Sequence, residues 1–204
     1  HLLPVMAMAH MQAAGHRPIV VLGGGTAMVG DPSGKDAARP LLSDQDIENN
    51  KAGIFSVFEI LLASVYTGIA RRALDVAVAT VGTRRSKKTG LTYSQDPDIR
   101  WRIADMALAY DALPPQLETL SRDIDTLVDH GPRWFSLLSG VKHRAVTMAK
   151  AVVDDAILVA GGSSYFAGSE LSRLYRDVLA GMFHPSDPES AHSTVATAWL
   201  GPVG

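Results

Sequence analysis

The chain has 204 residues, 47% of them hydrophobic and 20% charged, with a net charge of −2 and no cysteine. That is an ordinary globular balance, in a chain long enough for one large domain or two small ones. The near-neutral charge leaves no electrostatic footprint for nucleic acid or an anionic membrane, and the missing thiols exclude disulfides, thiolate metal sites and cysteine nucleophiles.

From His1 there is neither a basic n-region nor a small-residue cleavage site, so no signal peptide is expected and the cytoplasm is the expected compartment. Leu3 to Ala14 reads as a helix stopped by Gly15, and Pro18 to Leu22, "PIVVL", as a buried parallel-type strand. The strand runs into "GGGTAMVGDPSGK", Gly23 to Lys35, and Ser43 then caps a short polar helix with Asp46 at its third helical position. Helix, strand, glycine loop and helix in that order predict an α/β nucleotide-binding architecture. Neither generic phosphate motif is complete. The Gly30–Gly34–Lys35 stretch is one residue short of a P-loop and lacks its hydroxyl, and Met28 stands where a dinucleotide fingerprint needs a small residue. A tight glycine turn after a strand is the plain alternative.

From Ile54 the pattern changes. Ile54 to Ala70 is apolar apart from Glu59; its length is at the lower limit for a membrane span and a mid-span carboxylate is costly, so a core helix is expected. Phe55, Phe58, Leu62, Val65, Ile69, Ala73 and Val76 recur at helical spacing. A basic loop, "GTRRSKKTGLTYSQDPD", follows. Ile99, Ile103, Met106, Tyr110, Leu113, Leu117, Leu120, Ile124 and Leu127 continue the spacing through Pro114–Pro115, as a kinked helix or two closely joined ones. Trp134, Leu138, Val141, Ala145, Met148, Val152, Ala156 and Val159 form the next stripe, ended by "AGG". Leu171, Leu174 and Val178 mark a short helix, and Asp187–Pro188–Glu189 and Gly201 bracket the last one. Three long and two short helices without a strand signal predict a mainly α fold, an antiparallel bundle preceded by a short, incomplete α/β fragment. Trp101, Trp134 and Tyr110 read as core, "RRSKK" as a solvated loop, and His143 and His192 show no metal-ligand spacing.

The full strings say more. "HLLPVMAMAHMQAAGHRPIVVLGGGTAMVGDPSGKDAARPLLSDQDIENNKAGI", residues 1–54, resembles the catalytic domain of tyrosyl-tRNA synthetases. By that resemblance His1 would be the last histidine of an H-x-G-H signature acting on ATP phosphates, Asp31 would take the ammonium group of tyrosine, and Gly23, Gly24 and Gly25 would let the backbone approach the substrate. A carboxylate suits an amino group and a histidine donor suits a transferring phosphate. One strand with flanking helices cannot complete a sheet, so this segment is not expected to activate tyrosine or engage tRNA alone.

Residues 55–204 are similar to the C-terminal helical domain of the acyl-CoA dehydrogenases, through "ARRALDVAVATVGTRR", "IADM", the "AGG" turn and "RLYRD" in that order. The resemblance implies FAD, or FMN, an acyl-CoA or aromatic substrate, and a homo-oligomer. It places Arg85, or Arg84, on the flavin diphosphate, Gly161 and Gly162 near the same cofactor, and Arg176 close to the active site. A guanidinium fork suits a diphosphate. The catalytic glutamate of many members falls at Pro185 here, which cannot take a proton. In other members it falls at Phe58, beside Glu59, which is the candidate base against a plain reading as an exposed or ion-paired glutamate. His184, seven residues after Asp177, resembles a histidine of flavin monooxygenases built on the same fold, against a structural imidazole before a turn. The chain thus reads as two fragments joined with only Gly53 at the seam, and three outcomes are open: a fusion without a complete active site, a working flavoenzyme module, or a helical interaction module.

Overall fold

The computed structural model describes residues 43–203. The predicted helix Leu3–Ala14, strand Pro18–Leu22 and glycine loop, with His1, Gly23, Gly24, Gly25 and Asp31, lie outside the described residues.

The first helix, α1 (Asp44–Thr83), starts directly after Ser43 and runs for 40 residues. The sequence pattern predicts a short polar helix after Ser43 and then a second, apolar one. Nothing between Asp44 and Thr83 forces a stop, since there is no proline and an internal glycine such as Gly53 costs only about 1 kcal/mol relative to alanine. The buried face of α1 is Glu59, Ala63, Tyr66, Thr67, Ala70, Ala73, Ala77 and Val81. Of the predicted stripe Ala73 belongs to it, and Leu62, Ile69 and Val76 are half-buried against the same core. Val65 is 57% exposed, and the large apolar residues Val57, Leu61 and Val78 face outward with it. Small side chains on the packed face let neighbouring backbones come close, which bulky ones would prevent. Gly53–Thr83 is long and apolar enough to cross a membrane by length and composition, yet the alanine face of this helix lies inside the bundle core.

Helix α2 (Pro97–Asp111) starts under a capping aspartate. Asp96 Oδ1 accepts from the backbone N–H of Asp98 at 3.0 Å and of Ile99 at 3.2 Å, and Pro97 occupies the first helical position. Pro114 and Pro115 open a separate helix, α3 (Pro114–Asp125), so the open choice between one kinked helix and two joined ones resolves to two. Met106, Leu113, Leu117 and Leu120 are buried as expected. Leu127 lies past the end of α3 with φ of 54° and is 88% exposed, so the predicted stripe stops before it. Trp101, expected in the core, is 72% exposed.

Helix α4 (Arg133–Ala160) is the central element. Leu138, Val141, Ala145, Met148, Val152, Ala156 and Val159 are all buried, as the stripe predicts. It ends at Gly161, whose φ of 66° is a left-handed conformation that favours glycine. Helix α5 (Glu170–Leu179) buries Leu171, Leu174 and Val178. A short 3-10 turn, Ala180–Met182, leads to α6 (Pro188–Leu200), capped by Asp187 through Ser190 N–H at 2.8 Å and stopped at Gly201. Among the described residues there is no strand, only one isolated antiparallel bridge between Arg85 and Thr92. The core joins α1 through α5, and the fold is mainly α, an antiparallel bundle.

Candidate functional site

Two polar clusters sit on this frame. The first is built where α1 and α4 meet the connector between α5 and α6. Glu59 is 0% exposed, so it is not the exposed glutamate of the plain reading. Ser186 Oγ donates to Glu59 Oε1 at 2.7 Å and lies 3.0 Å from Ser139 Oγ, while Glu59 Oε2 is buried without a partner. Burial raises the Glu59 pKa to about 7, against the smaller opposing effects of the Ser186 hydroxyl and the Lys142 charge.

Lys142 is 1% exposed, and its ammonium donates to the carbonyls of Gly181 at 2.9 Å, Ser186 at 3.0 Å and His184 at 3.3 Å. All three ammonium protons thus have acceptors, which is how a buried amine is kept charged although desolvation lowers its pKa. Ser186 holds φ of 58°, a left-handed backbone that is rare outside glycine, in place between these bonds. Gly181 leaves no room for a side chain: a Cβ there would sit 2.8 Å from Tyr66 Cζ and from Val146 Cγ2. Tyr66 Oη in turn lies 3.0 Å from His184 Nδ1. Desolvation lowers the pKa of His184 and raises that of Tyr66 to about 12.

The second cluster joins the loop after α1 to the end of α4. Arg84 Nη1 donates to the carbonyl of Ala160, and its guanidinium stacks 5.1 Å from the Tyr93 ring and lies beside Gly161. Arg85 points elsewhere, donating to the Gly90 carbonyl at 3.0 Å. A side chain at Gly162 would meet nothing within 4 Å, so its backbone is open to a ligand. Arg176 is exposed on α5 and donates to Ser172 Oγ at 3.0 Å.

Of the residues picked from sequence, Glu59 and His184 therefore meet one connector, and Arg84 rather than Arg85 meets Gly161. Lys142, Ser139, Ser186 and Tyr66 were missed. A lysine inside the stripe Leu138, Val141, Ala145 was the one visible signal, since a charge at such a place needs buried acceptors. A cleft of about 150 Å³ next to the first cluster is lined by Lys142, His143, Thr147, Lys150 and Pro188 among others, far less than a flavin or an acyl-CoA requires. Among the described residues no three histidine or acidic side chains converge on a metal site.

Comparison with known proteins separates the two ends of the chain. Residues 60–186 match the family described as acyl-CoA dehydrogenase, C-terminal domain, and residues 1–71 match tRNA synthetases class I (W and Y), so the matches overlap at 60–71. The chain is 60% identical over 53 residues to a tyrosine–tRNA ligase of Desulfatibacillum aliphaticivorans, which is 26% of this chain and 12% of that protein. It is 58% identical over 117 residues to that of Caulobacter sp. strain K31, 57% of this chain and 26% of that one. In structure it superposes on the butyryl-CoA dehydrogenase of Megasphaera elsdenii with a TM-score of 0.69 at 20% identity, covering 80% of this chain and 40% of that one. The chain thus spans between an eighth and two fifths of these relatives.

Proposed function

The chain belongs to the acyl-CoA dehydrogenase C-terminal domain family, joined to a tyrosyl-tRNA synthetase-like segment, and from that premise we propose that residues 55–204 are the bundle of a flavin-dependent oxidoreductase and that residues 1–54 are a synthetase fragment. The bundle would supply one wall of an FAD site. The carrying observation is the Arg84–Ala160–Gly161–Gly162 arrangement, in which a guanidinium flanks a left-handed glycine and an open backbone. These residues fit a diphosphate: Arg84 and Gly161 would hold it, with Arg85 close by in the same loop. When bound, the flavin supplies a two-electron acceptor, and an acyl-CoA is the substrate that the family suggests.

The chain's own residues then limit what this polypeptide does alone. Pro185 takes no proton, and Glu59 is sealed in the core on Ser186. His184 is engaged by Tyr66, which favours the dehydrogenase reading over the monooxygenase one. The outward Val57, Leu61 and Val65 offer an apolar face for further domains or a second copy. As purified, these 204 residues are expected to give background rates in acyl-CoA-dependent dye reduction, in flavin-dependent oxygen consumption with aromatic substrates, and in tyrosine-dependent ATP–pyrophosphate exchange. Sustained acyl-CoA-dependent dye reduction would overturn the reading of an incomplete site, and pyrophosphate exchange would overturn that of an inert fragment. The cytoplasm is the expected setting.

A further inference from the structure

His143 on α4 and His192 on α6 are 49 positions apart in sequence (192 − 143). The fold sets their rings 5.0 Å apart, centroid to centroid, with planes at 81°. With metal–nitrogen bonds of about 2.1 Å, two imidazoles on one tetrahedral ion hold their centroids at about 5 Å. His192 Nδ1–H donates to the backbone carbonyl of Pro188, one turn earlier. In the neutral ring that bond places the proton on Nδ1 and the lone pair on Nε2, the arrangement by which a ligating histidine is oriented from behind.

His143 is half-buried. The two cations next to it in sequence are turned to other partners. Lys142 points at the Gly181, His184 and Ser186 carbonyls, and Arg144 Nε donates to Gln116 Oε1 at 2.9 Å. The cleft of about 150 Å³ that His143 lines leaves room for water molecules beside that ring.

We propose that His143 and His192 form a two-histidine site for a divalent transition cation of the zinc class, with water in the remaining positions, clipping α6 to α4. Imidazole nitrogen selects zinc, copper and nickel over magnesium and calcium, whose preferred ligands are oxygens. Two protein ligands bind weakly compared with a four-ligand structural site. The ion binds the folded chain only, so it stabilises by mass action.

The test is a titration of the tag-free full chain with zinc chloride at pH 7.5 in a non-coordinating buffer, read by calorimetry and by melting temperature, with cobalt absorption as an independent reporter of histidine ligation. The expected result is one zinc per chain at this pair, a rise in Tm with zinc and none with magnesium. His143→Ala and His192→Ala each weaken binding at least about tenfold (a loss of about 1.4 kcal/mol) and remove the rise in Tm. Unchanged zinc stoichiometry and affinity in the double variant would overturn the proposal, placing the metal on other histidines. So would a wild-type chain whose Tm and cobalt spectrum do not respond. If a variant fails to fold, the wild-type Tm and cobalt responses still decide.

Discussion

Helices α1 and α4 carry apolar stripes of equal clarity in sequence, yet only in α4 do the bulky stripe residues become fully buried. In α4 the bulky residues Leu138, Val141, Met148 and Val152 are all buried. In α1 the bulky residues Val57, Leu61 and Val65 face outward, Leu62, Ile69 and Val76 are half-buried against the core, and the fully buried seam is Ala63, Ala70, Ala73 and Ala77 around Glu59 and Tyr66. Large side chains mark a core where a helix has one apolar environment to fill. Where a helix packs closely on one side and presents a second apolar face on the other, small residues carry the intramolecular contact.

Truncation in α4 tests this contrast with the largest effect. Leu138→Ala is expected to cost about 2–5 kcal/mol in urea unfolding, through lost burial and a residual cavity. Glu59 comes next. Its folded pKa near 7 lies above its ordinary value of 4.5, so the folded chain keeps a proton that the unfolded chain releases between these values. The stability linked to that proton is fully present below about pH 4.5 and is lost as the pH rises through 7, a difference of about 3 kcal/mol. Glu59→Gln keeps the Ser186 partner and carries no charge. It should flatten this part of the pH profile and exceed wild type in stability at pH 8, as read by denaturant midpoints at pH 5 and pH 8.

Ala73→Leu forces a branched side chain into the closed seam and is expected to cost about 1–3 kcal/mol. Val65→Ala, on the outward face, should change monomer stability by less than about 0.5 kcal/mol while weakening any self-association seen by analytical ultracentrifugation. Equal losses at Val65 and Leu138 would erase the distinction between the two helices.

The same contrast explains what the sequence could reveal. Caps and breaks were legible, because Asp187, Pro114 and Gly201 act through local backbone chemistry that a string of residues displays. The α4 stripe was legible because its burial is one-sided. The face of α1 was legible only in part, and the exposure of Trp101 was not, since both depend on what lies across a tertiary interface. At the candidate site, Glu59, His184 and the Arg84–Gly161 neighbourhood were visible through resemblance. Lys142, Ser139 and Ser186 were not, because their meaning lies in carbonyls and carboxylates contributed from 39 to 127 residues away. The His143–His192 pair was invisible for the same reason.

The central claim is that this bundle forms one wall of a flavin site and leaves the rest unfilled. Titrating the purified chain with FAD, and separately with FMN, while following flavin fluorescence and the absorbance retained after gel filtration, tests it most directly. The account predicts weak, non-stoichiometric binding, with FAD ahead of FMN and the difference reduced by Arg84→Ala. One flavin retained per chain through gel filtration would contradict it.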